Sequence, residues 1–137
     1  VPGVVTSFYS ARRTVLGVIV AVMDHERSDR RLRLLDVPSR ILKRGEIHEV
    51  ILTDEEPGEE GVVNRAAYLG FVEVTQGGLV IPGDELLIRH NSAGRLLGFD
   101  DTHMPNHLNL VIKAQNIASG AKLGIHLDDP VEFVSVR

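Results

Sequence analysis

Short apolar runs separated by turn-forming residues recur along the whole chain. The longest run, Val15 to Met23, is rich in β-branched residues, which favour the pleated surface of a strand. Further apolar runs lie at 32–35, 47–53, 69–74, 79–81, 85–88, 110–112 and 131–136. About eight to ten short strands without long helical periodicity predict an all-β fold, with at most short helical turns. We expect one domain over residues 1–137, a small closed or partly open β-barrel.

The residues between the runs give more local predictions. Residues 39–44 suggest a short helical turn that Gly45 closes. Residues 76–78 and 91–94 carry the glycine and asparagine of hairpin turns. Residues 122–127 are expected to be extended.

A Leu-Gly-hydrophobic triplet occurs four times, with its glycine at Gly17, Gly70, Gly98 and Gly124. Glycine inside a strand is unfavourable, so it usually marks a bulge or a bend where a sheet coils on itself. The triplets therefore favour a barrel, although two common residue types also recur together by chance.

The segment from Gly77 to Leu86 resembles the Gly-Asp hairpins of small barrels such as the second domain of translation GTPases. In those barrels the glycine and aspartate make a tight turn, here Gly83-Asp84, and the following apolar residues enter the wall. The resemblance covers about ten residues, so it informs the fold and carries no function.

Composition limits the partners. The chain has a net charge of −4 and is 4% aromatic without tryptophan, so we do not expect it to bind nucleic acid. Seven of the fifteen basic residues lie between Arg27 and Arg44, where no aromatic residue accompanies them. Solvated faces, or complementary surfaces in a homo-oligomer, explain that run better. A homo-oligomer is expected because a long apolar strand such as 15–23 has edges to hide.

The chain has no cysteine, which excludes disulfides, thiolate chemistry and cysteine metal ligands. No apolar run is long enough for a membrane span. Arg12 and Arg13 precede the 15–23 run as in a signal peptide, but the charged residues 24–27 stand where a cleavage site should be. We therefore expect a cytoplasmic protein. Flavin and nucleotide motifs are missing, so no cofactor is expected, although a divalent metal is possible.

Chemistry-bearing residues are densest between Gly98 and Asn109. His103 and His107 could transfer protons near neutral pH, and Asp101 could orient one imidazole. Pro105 lies between the histidines, so they do not form a helical zinc motif.

Three other roles are possible for this segment. Asn106 and Asn109, with Thr102, could hydrogen-bond a polar substrate. A metal on His103 and His107 would need a third ligand from Asp101, His126 or Asp128. The last alternative is a polar loop that only joins two strands.

A second cluster, Asn64, Arg65 and Tyr68, precedes a strand. Arg65 could clamp a carboxylate or phosphate through two hydrogen bonds, with Asn64 and Tyr68 beside it. Alternatively, Arg65 pairs with the acidic loop 54–61 and Tyr68 packs in the barrel wall.

The remaining histidines are weaker candidates. His126 and Asp128 could share one face of a strand, but a capped turn before Pro130 is favoured. His25, His48 and His90 are interpreted as surface residues.

These observations favour an enzyme of the lyase, isomerase or hydrolase type acting on a small polar or anionic metabolite. The alternative is a non-catalytic module that binds a small ligand or assembles into an oligomer.

Overall fold

The computed structural model describes residues 8–136, which form eleven strands and one short helix. The elements are β1 (Val15–Arg27), β2 (Leu32–Arg33), β3 (Arg40–Leu42), β4 (Ile47–Thr53), β5 (Val62–Val63), β6 (Ala66–Gln76), β7 (Gly78–Val80), β8 (Glu85–Ile88), β9 (Asn91–Asp100), β10 (Asn109–Lys113), α1 (Gly120–Leu123) and β11 (Pro130–Val134). The all-β prediction is confirmed.

Seven of the strands close into a barrel in the order β1-β11-β8-β9-β10-β4-β6, with β6 returning to β1. Every pair in the ring is antiparallel except β4 with β10, which run parallel. The other four strands form two small ribbons, β2 with β5 and β3 with β7. The predicted barrel is therefore present, with short accessory ribbons beyond the expected strand count.

The barrel wall packs against a hydrophobic core on each of its two faces. The larger core includes Ile19, Leu69 and Phe99, together with Val50 and Leu52 of β4. The smaller core, which we call the outer core, consists of Leu32, Ile51, Val63, Ala66, Tyr68 and Val111. Since β4 contributes alternate residues to the two cores, it is covered on both faces, and its residues from His48 onward are all buried.

Three of the four predicted glycines mark irregular strand pairing. The register shifts beside Gly17 in the β1–β6 pair, beside Gly70 in the β4–β6 pair and beside Gly98 in the β9–β10 pair. At Gly17 a β-carbon would lie 2.7 Å from the Glu73 carbonyl oxygen, and at Gly70 it would collide with the Ala21 carbonyl oxygen. Close backbone approach therefore requires glycine at Gly17 and Gly70, as predicted.

The prediction for residues 122–127 is wrong, and so is the bulge at Gly124. Helix α1 begins after Ser119, whose hydroxyl accepts a hydrogen bond from the Lys122 backbone nitrogen. It ends at Gly124, which has φ of 76°. This glycine is a helix C-cap, and the capping groups decide the local structure.

Two further local predictions are wrong. Residues 40–42 form a strand rather than a helical turn, because they pair with β7. The same pairing takes β7 away from β6, so residues 76–78 do not make a hairpin.

The turn between β8 and β9 was predicted two residues too late. It lies at Arg89 and His90, whose φ angles are 51° and 66°, and Asn91 already begins β9. By contrast, the Gly83-Asp84 turn is present: the Asp84 carboxylate accepts a bond from the Ile81 backbone nitrogen and binds the Arg12 guanidinium through two bonds of 2.7 Å.

Closure of the barrel changes the argument for self-association. Strand β1 pairs with β11 on one edge and with β6 on the other, so the long apolar strand has no free edge to hide. The homo-oligomer therefore stays a prediction, but a free strand edge no longer supports it. Within residues 8–136, no helix has the length and apolar character needed to cross a membrane.

Candidate functional site

The parallel pairing of β4 with β10 brings a buried carboxyl to a buried histidine. Glu49 pairs with Asn109 at the start of β10, and His107 lies two residues before that position. Since His48, Val50 and Leu52 face the barrel interior, Glu49 faces outward beneath the 101–108 loop. Its Oε1 atom lies 3.4 Å from His107 Nε2, with side-chain exposures of 6% and 11%. The two groups are in contact at salt-bridge distance, although His107 Nε2 makes no hydrogen bond within the described residues.

Burial shifts the pKa of each group in the direction that favours its uncharged form. It raises the pKa of Glu49 from 4.5 to about 7, although the positive charge of Arg30 opposes the shift. Burial also lowers the pKa of His107, and the charges of His103 and His48 add to that effect. Glu49 therefore titrates near pH 7, and His107 is neutral at that pH, as a general base must be.

The second ring nitrogen of His107 has a different partner. Asn106 Nδ2 lies 2.9 Å from His107 Nδ1, and because an amide nitrogen donates, Nδ1 accepts. The neutral ring then carries its proton on Nε2, facing Glu49. The edge-to-face contact between the rings of Phe71 and His107, at 5.0 Å between centroids, holds this orientation.

His103 extends the site to the surface. Its ring centroid lies 5.1 Å from that of His107, and the Arg30 guanidinium donates a bond of 3.4 Å to its Nε2 atom. The structure therefore brings together the two histidines that the sequence singled out. We call Glu49, His107, His103 and Arg30 the outer-wall site.

A buried polar network holds the ends of the 101–108 loop. Asp100 accepts a bond of 2.8 Å from Asn109 Nδ2 and one of 2.7 Å from the Thr102 hydroxyl. Asn109 Oδ1 is buried without a partner among the described residues. Asn109 is thus a supporting residue beneath the site, whereas Asn106 lies exposed at its surface.

Asp101 does not take the orienting position predicted for it. It is exposed, and its backbone carbonyl accepts a bond from Met104. In the part of the chain that the structure describes, its carboxylate makes no hydrogen bond or ion pair. Glu49 occupies the place next to His107 instead.

The Asn64–Tyr68 cluster lies apart from the histidines. Arg65 Nε pairs with the Asp54 carboxylate at 3.1 Å, and the backbone nitrogens of Asn64 and Arg65 bind Glu55. Tyr68 packs in the outer core and stacks on His25. The open cavity beside Arg65 is lined mainly by residues 26–28 and 65–67, with none from 100–109. The arrangement matches the structural alternative for this cluster.

The surface interpretation of His48 is wrong. This side chain is inside one end of the barrel, where its Nδ1 accepts a 3.1 Å bond from the Leu108 backbone nitrogen and its Nε2 lies 3.1 Å from Glu46. The position of His48 and Glu49 side by side at the start of an otherwise apolar run was the sequence signal for both buried groups.

The other histidines have local partners. His90 is exposed beside Glu132, and the backbone nitrogen of His126 donates to the Asp129 carboxylate, which confirms the capped turn before Pro130.

Residues 8–136 contain no group of three or more histidine, aspartate or glutamate side chains arranged to hold a metal. The third ligand that the metal hypothesis required is therefore not provided by Asp101, His126 or Asp128 in this arrangement.

Comparison with known proteins places the chain in one family. The model of a family of unknown function, DUF6917, matches residues 9–134, so the chain belongs to that family. No curated protein and no solved structure matches it significantly.

Proposed function

We propose that this member of the DUF6917 family is an enzyme that carries out acid–base chemistry on a small polar or anionic metabolite at the outer-wall site. The observation that supports this most directly is the buried Glu49 carboxyl, 3.4 Å from His107 Nε2. A buried ionisable group without a full hydrogen bond destabilises the fold, so its presence here suggests a role other than stability.

His107 is the proposed base. Its Nδ1 atom carries the free electron pair, which the exposed Asn106 amide caps at 2.9 Å. A substrate hydroxyl or an acidic C–H group would displace that amide and transfer its proton to Nδ1. With a pKa of about 7, Glu49 is ionised in part of the molecules at neutral pH, and in that form its carboxylate next to Nε2 would stabilise the imidazolium that forms.

Arg30 and His103 are the proposed substrate-binding groups. Both lie at the open side of His107, and a guanidinium suits a carboxylate or phosphate. Proton return to a different atom of the substrate gives an isomerase. Return to a leaving group gives a lyase, and activation of water gives a hydrolase. Asn64, Arg65 and Tyr68 have no part in this proposal.

Deuterium exchange tests the proposal before a substrate is known. A panel of small hydroxy acids, keto acids, amino acids and sugar phosphates is incubated with the protein in D₂O and followed by proton NMR. We expect at least one class to incorporate deuterium or to be converted. The His107→Gln and Glu49→Gln variants should lose that activity, and His90→Gln, an exposed histidine elsewhere, should keep it.

Binding of a panel member at residues 101–108 without exchange or conversion would instead favour the non-catalytic ligand-binding alternative. Equal exchange by wild type and His107→Gln would exclude His107 as the base.

We also propose that the protein is cytoplasmic and forms a homo-oligomer. The absence of cysteine is compatible with a reducing compartment. Light scattering at micromolar concentration should give at least twice the monomer mass of 15.1 kDa; a monomer mass would refute self-association.

A further inference from the structure

We infer that one end of the barrel binds a second ligand, a small monocarboxylate with an apolar body. An open cavity of about 390 Å³ lies there, among the ends of β4 and β8, the start of β9 and helix α1. We call it the barrel-mouth cavity. Its floor includes Leu52, Leu69 and Ile88, and its rim includes Arg89, Gln115 and Asn116. The volume is in the range of small-molecule sites, which are common at barrel mouths.

The apolar lining of the cavity favours a ligand with an apolar group. Leu52, Leu69 and Ile88 belong to the main barrel core and are at most 7% exposed. Leu123 of α1, which is 46% exposed, forms part of the wall. An alkyl or aromatic group in the cavity would pack on the floor, which is already nearly buried, and would remove Leu123 from water.

The rim specifies the charge of the ligand. Arg89 is the only charged residue among those that line the cavity in the described structure. Its Nε atom is 3.9 Å from the Asp129 carboxylate, beyond ordinary hydrogen-bond length, so the guanidinium retains donors for a ligand. One guanidinium matches one carboxylate through two parallel bonds.

The backbone at Arg89 supports a role for its side chain. The β8–β9 turn needs positive φ angles, which glycine, asparagine and aspartate adopt most readily. Arg89 has φ of 51°, and Asn116, across the rim, has φ of 53°. Arginine is a poor choice for the turn itself, and strained backbone is concentrated at functional sites. The Arg89 backbone nitrogen donates to Pro130, which fixes the base of the side chain.

Amide NMR with simple probes tests the inference. Hexanoate, hexanol and hexylamine share the same chain length and differ in charge, and each is titrated at constant ionic strength. Hexanoate should cause saturable shifts at residues 88–92, 114–116 and 123–125. Hexanol should bind at least tenfold more weakly, and hexylamine weaker still.

Matched variants of the turn identify the binding group. Arg89→Gln should weaken hexanoate binding at least tenfold. His90→Gln, at the next position with a similar φ angle but a side chain directed to Glu132, should leave binding unchanged. Equal affinity for hexanoate and hexylamine, unchanged affinity in Arg89→Gln, or shifts confined to other residues would overturn the inference. Glu49→Gln should keep hexanoate binding, so this inference and the proposed outer-wall chemistry fail separately.

Discussion

The outer-wall site and the barrel-mouth cavity use burial in opposite ways. At the outer wall, Glu49 lies beneath the 101–108 loop against His107, and desolvation raises the pKa of Glu49 and lowers that of His107. At the mouth, an open cavity lies above the nearly buried ends of the core strands, and the Arg89 side chain beside it is 58% exposed. Buried ionisable groups are suited to proton transfer. An apolar cavity with one cation at its rim is suited to binding an anionic ligand. The same seven strands support both.

Removing the base should have the largest effect and should separate the two regions. His107→Ala is expected to lower the rate at the outer wall by about a hundredfold or more, as for other general bases. Hexanoate binding at the mouth should stay unchanged. Turnover measurements and amide NMR on the same preparation provide the comparison. Loss of both functions would mean that the variant disturbs the whole barrel.

Changing the buried acid should appear as altered pH dependence of stability. The pKa of Glu49 is about 7 when folded and near 4.5 when unfolded, so the folded state binds more protons between those values. Stability contributed by this group is therefore present below pH 4.5 and is lost as pH rises to 7. That loss is on the order of 3 kcal/mol. Glu49→Gln removes it, so the variant should gain stability over wild type as pH rises.

Urea unfolding at pH 5 and pH 8 measures this difference. His107 acts in the opposite direction: its lowered pKa makes the folded state lose stability as pH falls below 6.5. A Glu49→Gln variant whose advantage over wild type is the same at both pH values would show that Glu49 titrates normally.

Disrupting the hydrogen bonds of Asp100 should disturb the outer-wall region and leave the barrel-mouth cavity unchanged. Asp100→Ala leaves the Asn109 amide and the Thr102 hydroxyl without their acceptor, which should cost about 1–3 kcal/mol. Chemical denaturation gives the stability, and amide NMR should place the disturbance at residues 101–109. Shifts that also reach Arg89 would show that the two regions are coupled.

The smallest effect is expected at Arg65. Its ion pair with Asp54 is exposed, so Arg65→Lys should change stability by no more than about 0.5 kcal/mol. Turnover at the outer wall should be unchanged. A tenfold loss of substrate affinity in the folded variant would return Arg65 to the substrate-binding role that its sequence context predicted.

Local sequence signals predicted the parts of the molecule that depend on neighbours in the chain. Turn residues between apolar runs indicated the barrel, and the bulges at Gly17, Gly70 and Gly98 followed from glycine inside strands. His103 and His107 were paired because they share one loop.

The residues that were missed depend on partners far away in the sequence. Glu49 meets His107 only through the parallel β4–β10 pairing, which no short motif encodes. His48 is buried because Leu108 and Glu46 satisfy both of its ring nitrogens. Helix α1 was missed because Ser119 and Gly124, which cap it, also occur in ordinary turns.

The parallel pairing of β4 with β10 also has a kinetic consequence. Residues 54–108 separate the two strands in sequence, and pairings between distant strands form slowly, so we expect Glu49 to stay hydrated until late in barrel closure. Between pH 4.5 and 7 a hydrated Glu49 is ionised, and the closed barrel prefers it protonated. Glu49 should therefore take up a proton as the barrel closes, and Glu49→Gln should lose that uptake while the opposing proton release by His107 remains. A pH indicator in a stopped-flow refolding experiment would record that uptake as the time of closure.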